Sequence, residues 1–193
     1  MQVDLKKIAI VGPESTGKSE MAKALAQHFQ TIYVPEFARE YCVGLNRNYT
    51  LEDEVAIFHG QLALERNLIP FAQNGLLFCD TMVLTVKIWC DYLFGHTPKI
   101  VRDTIPALNY DFYLLMDIDL PWQDDPLRDF PEQREYFLQV WKDELEAIGA
   151  DYIVVSGLGE ARIKHALNAL SFLYAKYLPS ELQKFLPFIF LQP

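Results

Sequence analysis

The chain divides into short unbroken apolar runs separated by longer stretches in which apolar residues recur every three or four positions. The runs Ile8–Val11, Ile32–Val34, Leu76–Cys79, Phe112–Met116 and Tyr152–Val155 are bounded by turn signals and predict five short strands. Helical spacing covers residues 18–29, 51–73, 82–95, about 132–148 and 159–176, with Met21, Leu25 and Phe29 as the apolar stripe of the first. Strands that are apolar on both faces and alternate with helices predict an α/β fold. Each right-handed crossover lays a helix on one face or the other, giving a five-stranded parallel sheet between two helical layers. The segment Pro121–Pro131 is rich in prolines and charges and follows the fourth run, so it is expected to form a lid, over about residues 121–134. No internal repeat or Gly/Ser-rich linker interrupts the pattern, and one domain over 1–193 is expected.

Composition narrows the function classes. A chain of 193 residues with 51% hydrophobic residues can bury one substantial core. Its 17 Lys and Arg against 26 Asp and Glu leave a formal charge of -9, the wrong sign for neutralising many nucleic-acid phosphates, so no nucleic-acid partner is expected. Cys42, Cys79 and Cys90 form no CxxC pair and offer neither a disulfide framework nor a zinc cluster, which fits a reducing cytosol. The apolar run behind Lys6 and Lys7 is too short for a signal-peptide core or membrane span, and neither export nor insertion is expected. His28, His59, His96 and His165 lack metal-ligand spacing. The apolar end of the chain, Phe185–Leu191, is expected to pack on the domain or on a second copy as a homo-oligomer contact.

The chemistry concentrates in three places. Gly12-Pro13-Glu14-Ser15-Thr16-Gly17-Lys18-Ser19 matches GxxxxGK[ST], follows a predicted strand and opens a predicted helix. Such a P-loop turns backbone N–H groups, including those of Glu14, Ser15 and Thr16, and the helix N-terminus towards phosphate oxygens. Lys18 is expected to reach the β and γ phosphates of ATP and Ser19 to ligate Mg²⁺. No guanine-specific signature follows the fourth run, which favours ATP over GTP.

Acids beyond strand ends come next, because ligands of open parallel sheets collect at the carboxyl ends of strands. Asp80 ends the third strand and is either a second magnesium-site acid or the N-cap of the helix that follows. Glu36 ends the second strand, where nucleoside kinases carry the acid that accepts the acceptor hydroxyl's proton; otherwise it is a helix-start acid complementing the dipole. Arg39 lies one turn on, able to hold substrate or to pair with Glu36. In the lid, Arg128 is the better placed of Arg128 and Arg134 to neutralise charge on a transferred phosphoryl group. Trp122 is able to stack on a ring or to pin the lid to the core.

Taken together, Gly12–Ser19, Val34-Pro35-Glu36-Phe37-Ala38-Arg39-Glu40-Tyr41, Cys79-Asp80-Thr81 with Thr85, Asp119-Leu120-Pro121-Trp122 with Asp125 and Arg128, and Ser156-Gly157 ahead of Arg162 resemble the nicotinamide riboside kinase domain of bifunctional NAD-biosynthesis proteins. The resemblance covers most of the chain. It implies a nucleoside-kinase-like P-loop NTPase that phosphorylates the 5′-hydroxyl of nicotinamide riboside in NAD salvage. Glu36, Arg39, Asp80, Trp122 and Asp125 would meet the nucleoside, with Trp122 on the nicotinamide, and Arg162 would serve the nucleotide. Met82 stands where the family carries an acid, and Pro126 where it carries a glycine, so acceptor specificity is the property most open to change. The competing class is a P-loop ATPase that acts as a nucleotide-dependent regulator of a partner protein.

Overall fold

A computed structural model describes residues 5–177 of the chain. Five strands, β1 (Lys6–Val11), β2 (Tyr33–Val34), β3 (Leu76–Asp80), β4 (Phe112–Met116) and β5 (Tyr152–Val155), form one parallel sheet in the order β2-β3-β1-β4-β5. The α/β architecture expected from the apolar runs is thus present, and every pairing is parallel. Seven α-helices among the described residues complete it: α1 (Lys18–His28), α2 (Phe37–Val43), α3 (Leu51–Leu68), α4 (Leu84–Phe94), α5 (Lys99–Thr104), α6 (Arg134–Ala147) and α7 (Gly159–Tyr177). The apolar segment 185–191 lies outside the described residues.

Alternation along the strands explains why both faces are apolar. Ile8 and Ile10 of β1 point to one layer, where Met21, Leu25 and Phe29 of the first crossover meet Ala166, Ala169 and Leu170 of α7. Ala9 and Val11 point to the other, against Ile57 and Phe58 of α3, Leu84 and Ile88 of α4, and Phe137 and Trp141 of α6. Burying such side chains contributes about 1.5–3 kcal/mol each, the main stabilisation of the sheet.

Helix ends follow local chemistry. Thr50 and Asp53 form a capping box at the start of α3, in which Thr50 N–H donates to Asp53 Oδ2 at 2.8 Å. The helix stops short of the expected residue 73 because Pro70 sits in a 3₁₀ turn, Ile69–Phe71. The periodicity did not reveal α2 and α5, which are 7 and 6 residues long. Helix α2 closes on α3 where Gly60 leaves room for the Phe37 ring, since a Cβ there would lie 2.1 Å from Phe37 Cε1.

The β1–α1 turn is the tightest constraint. Gly12 has φ +138, and a Cβ there would stand 2.8 Å from the Met116 carbonyl oxygen at the end of β4. Gly12→Ala should therefore cost roughly 1–3 kcal/mol in urea denaturation. Gly44→Ala, with nothing within 4 Å of its Cβ, should stay within about 0.5 kcal/mol.

Candidate active site

The carboxyl ends of the strands open into a cleft of about 1220 Å³ that holds the whole P-loop, Glu36, Asp80 and part of the lid. The loop is curled by Gly12 and by Ser15 at φ 57, and Thr16 Oγ1 ties it off by donating to Pro13 O at 2.7 Å. Lys18 Nζ arches back over the loop, donating to Pro13 O at 2.8 Å and Gly12 O at 3.1 Å. Its ammonium stays at the loop's concave side, where an anion would meet it.

Glu36 is the N-cap residue of α2 but makes no side-chain capping bond, so its carboxylate is not spent on the helix. Burial raises its pKa, opposed by the charge of Lys18 and reinforced by Asp80. Gln61 of α3, a residue the motifs did not reveal, brackets it. Gln61 Oε1 accepts Phe37 N–H at 2.8 Å and Nε2 donates to Pro35 O at 3.4 Å. Asp80 is 2% exposed and does not cap a helix, because α4 begins only at Leu84 with Val83 as N-cap. Burial raises its pKa against a hydrogen bond with Ser19, and its Oδ1 is buried without a partner.

The lid lies on the P-loop. Gln123 N–H donates to Ser15 Oγ at 2.8 Å, Arg128 Nη1 to the same oxygen at 3.3 Å, and Asp129 N–H to Glu14 Oε2 at 3.0 Å. Arg128 lines the cleft, whereas Arg134 uses its guanidinium on Leu120 O at 2.8 Å and Ser15 O at 3.3 Å. Burial pushes Glu14 up to about 7.

Several expected ligand contacts fall elsewhere. Trp122 does not line the cleft, and its Nε1 donates to Asp124 Oδ1 at 3.0 Å. The aromatic wall is instead Trp89 and Phe130, 6.0 Å apart, with Phe137 5.0 Å from Trp89. Asp125 is also outside the cleft and pairs with Arg39, which therefore reaches across to the lid rather than back to Glu36. Arg162, by contrast, does line the cleft, and it is 4% exposed and tied into the fold: it pairs with Asp119 and donates to Gly157 O at 3.0 Å, Thr16 O at 3.1 Å and Asp117 O at 2.8 Å. Met82, in the place of the family's acid, is buried, and its sulfur accepts Leu84 N–H at 2.9 Å.

Deeper in the cleft Glu54 is 2% exposed and, like Glu14, is pushed by burial from 4.5 to about 7. A raised carboxyl binds its proton more tightly folded than unfolded, so the stability it contributes is present at low pH and is lost as pH rises from about 4.5 to 7. Urea denaturation should accordingly show the wild type losing stability between pH 5 and pH 7.5, and the double variant Glu14→Gln/Glu54→Gln losing less; equal losses would contradict the assignment.

Known proteins share this fold. A family model described as an AAA domain matches residues 7–162. The trifunctional NAD biosynthesis/regulator protein NadR of Salmonella typhimurium is 29% identical over 133 residues, 64% of this chain and 31% of that protein. The chain spans about a third of the length of the NadR relatives it matches, 31% and 38%. A crystal structure of NadR protein in complex with NR superposes with a TM-score of 0.75 at 21% identity, over 88% of this chain and 50% of that one. Deoxyadenosine kinase from M. mycoides, with products dCMP and dCDP, superposes at a TM-score of 0.58 and 16% identity, over 86% and 99%. These likenesses carry the fold, a five-stranded parallel sheet of the nucleoside-kinase type. The matched residues 7–162 include the P-loop, Glu36, Asp80, the lid and Arg162, and the chain belongs to the AAA domain family of P-loop proteins.

Proposed function

We propose that this protein is a cytosolic, ATP-dependent kinase that phosphorylates the 5′-hydroxyl of nicotinamide riboside or a related nucleoside. The observation that carries the reading is the shared cleft: Lys18 and Glu36 line the same cavity with Arg128 between lid and P-loop, and Glu36 feels the charge of Lys18, Asp80 and Arg128. A phosphate clamp and an uncommitted carboxylate are the two parts phosphoryl transfer to a hydroxyl requires. The likeness to NadR, solved with NR, favours a nicotinamide nucleoside as acceptor.

In this reading the P-loop N–H groups and Lys18 hold the β and γ phosphates, and Glu36 holds the acceptor's hydroxyl in line with the γ-phosphorus. Glu36 takes the hydroxyl proton as its oxygen bonds to phosphorus; the bond to the bridging oxygen breaks, and ADP leaves with that electron pair. Arg128 neutralises charge on the equatorial oxygens. Ser19 and Asp80 fit Mg²⁺: both offer hard oxygen atoms, and Asp80 Oδ1 is buried without a partner. Bound there, Mg²⁺ would offset the phosphate charge. No helix of the described residues is long and apolar enough to cross a membrane.

Incubating the protein with ATP, Mg²⁺ and a nucleoside panel, then identifying products by mass spectrometry, tests the reading. ATP hydrolysis with no phosphorylated nucleoside would favour the regulatory ATPase instead. Lys18→Ala should abolish most turnover while unfolding remains cooperative, because its bonds are to the P-loop and not to the core. Glu36→Gln should keep ATP affinity and lower kcat by roughly 10²–10⁴-fold, and a variant with unchanged kcat would remove Glu36 as the base.

A further inference from the structure

Apart from the phosphate end, the cleft has a second, inner end whose chemistry no motif explains. Glu54, in the first turn of α3, lines it beside Tyr49, Trp89 and Phe94. We propose that Glu54 reads the base of the acceptor. The cleft then selects nucleosides whose base carries an exocyclic N–H donor, an amine or a carboxamide, over those with a carbonyl or carboxylate at that place. The inference rests on the kinase reading above and specifies its acceptor class.

Glu54 is a buried acid with few donors beside it. An ionised carboxylate offers about four lone-pair sites and no donor. The hydrogen bond given to Glu54 comes from Tyr49 and accounts for one of them. No ion pair reaches Glu54 among the described residues. The nearby cation, Arg47, is committed to Asp53, with Nη1 to Oδ2 at 2.7 Å and Nη2 to Oδ1 at 2.5 Å.

Ile57, Met82, Ile88 and Trp89 line the same cavity as Glu54. A buried carboxylate in such surroundings is costly until a donor or a positive charge arrives, which is why burial holds this group up to about 7. A flat base entering between the aromatic side chains would carry its exocyclic group towards the acid. An N–H group there completes the carboxylate's hydrogen bonding, and a cationic pyridinium ring adds attraction. Above pH 7, where Glu54 is mostly ionised, a carbonyl oxygen or a carboxylate in the same place meets lone pairs and negative charge.

Two matched pairs test this: nicotinamide riboside against nicotinic acid riboside, and cytidine against uridine. Dissociation constants would be measured by calorimetry at pH 8 without ATP, and kcat/KM at the same pH with ATP and Mg²⁺, for the wild type and Glu54→Gln. The wild type should favour the amide or amine member by roughly 10–100-fold, the worth of one charge-assisted hydrogen bond. Gln, which both donates and accepts, should bring the ratio to within a few-fold.

Equal affinity of the wild type for both members of each pair overturns the proposal, even if the variant fails to fold, and so does a folded Glu54→Gln that keeps the preference. Selective binding without any phosphorylated product would remove the kinase reading and leave the role of Glu54 standing. Phosphorylation without selectivity would do the reverse. Failure to bind any of the four nucleosides would overturn both.

Discussion

A single buried guanidinium holds the nucleotide end of this molecule in shape. Arg162 reaches from α7 to the carbonyls of Thr16 in the P-loop, Asp117 after β4 and Gly157 after β5, with Asp119 as its counter-ion. Three strand ends that are distant in sequence are thereby tied to one planar cation, whose fork suits several acceptors at once. Its partner Asp119 also accepts Gly157 N–H at 2.5 Å, so the acid is itself fixed. Removing Asp119, itself partly exposed, would leave the buried Arg162 guanidinium without its counter-ion. The P-loop's curvature, and hence the direction of its N–H groups, depends on this knot as much as on Gly12.

The cleft also resolves a conflict of charge. The protein is acidic overall, and Glu14, Glu36, Asp80 and Glu54 all line a cavity proposed to take triphosphate. Burial raises the pKa of each, which favours the neutral form, while Lys18 acts in the opposite sense on Glu14, Glu36 and Asp80. Glu14, at about 7, carries only part of a negative charge near neutrality. Repulsion of phosphate is weakened without giving up groups able to accept protons.

Much of this was legible in the sequence, for a local reason. The P-loop pattern is set by eight consecutive residues, and strand and helix periods are equally local; the α/β sheet reappears as expected, and the eight residues line one cleft. What failed to show depends on the approach of distant segments. Trp122 and Asp125 are lid residues, and nothing local states which way a proline-rich loop turns its side chains. The aromatic wall of Trp89 and Phe130 comes from two segments 41 residues apart, and Gln61 meets the turn before α2 across 24 residues. Arg162 was expected to serve the nucleotide through the family resemblance, and the three carbonyls it also holds, from segments distant in sequence, were not legible in any motif. Helix α2 buries none of its residues fully, so it carries no clear apolar stripe for periodicity to detect.

The ion pair between Arg39 and Asp125 spans the mouth of the cleft, joining the helix that begins at Glu36 to the lid that carries Arg128. Opening either jaw alone breaks it. On the proposed chemistry, the group that receives the proton and the group that steadies the phosphoryl charge are yoked and swing into place together. On that reading a site in which this pair is broken presents water with an incomplete set of reactive groups, which disfavours hydrolysis of a bound nucleotide.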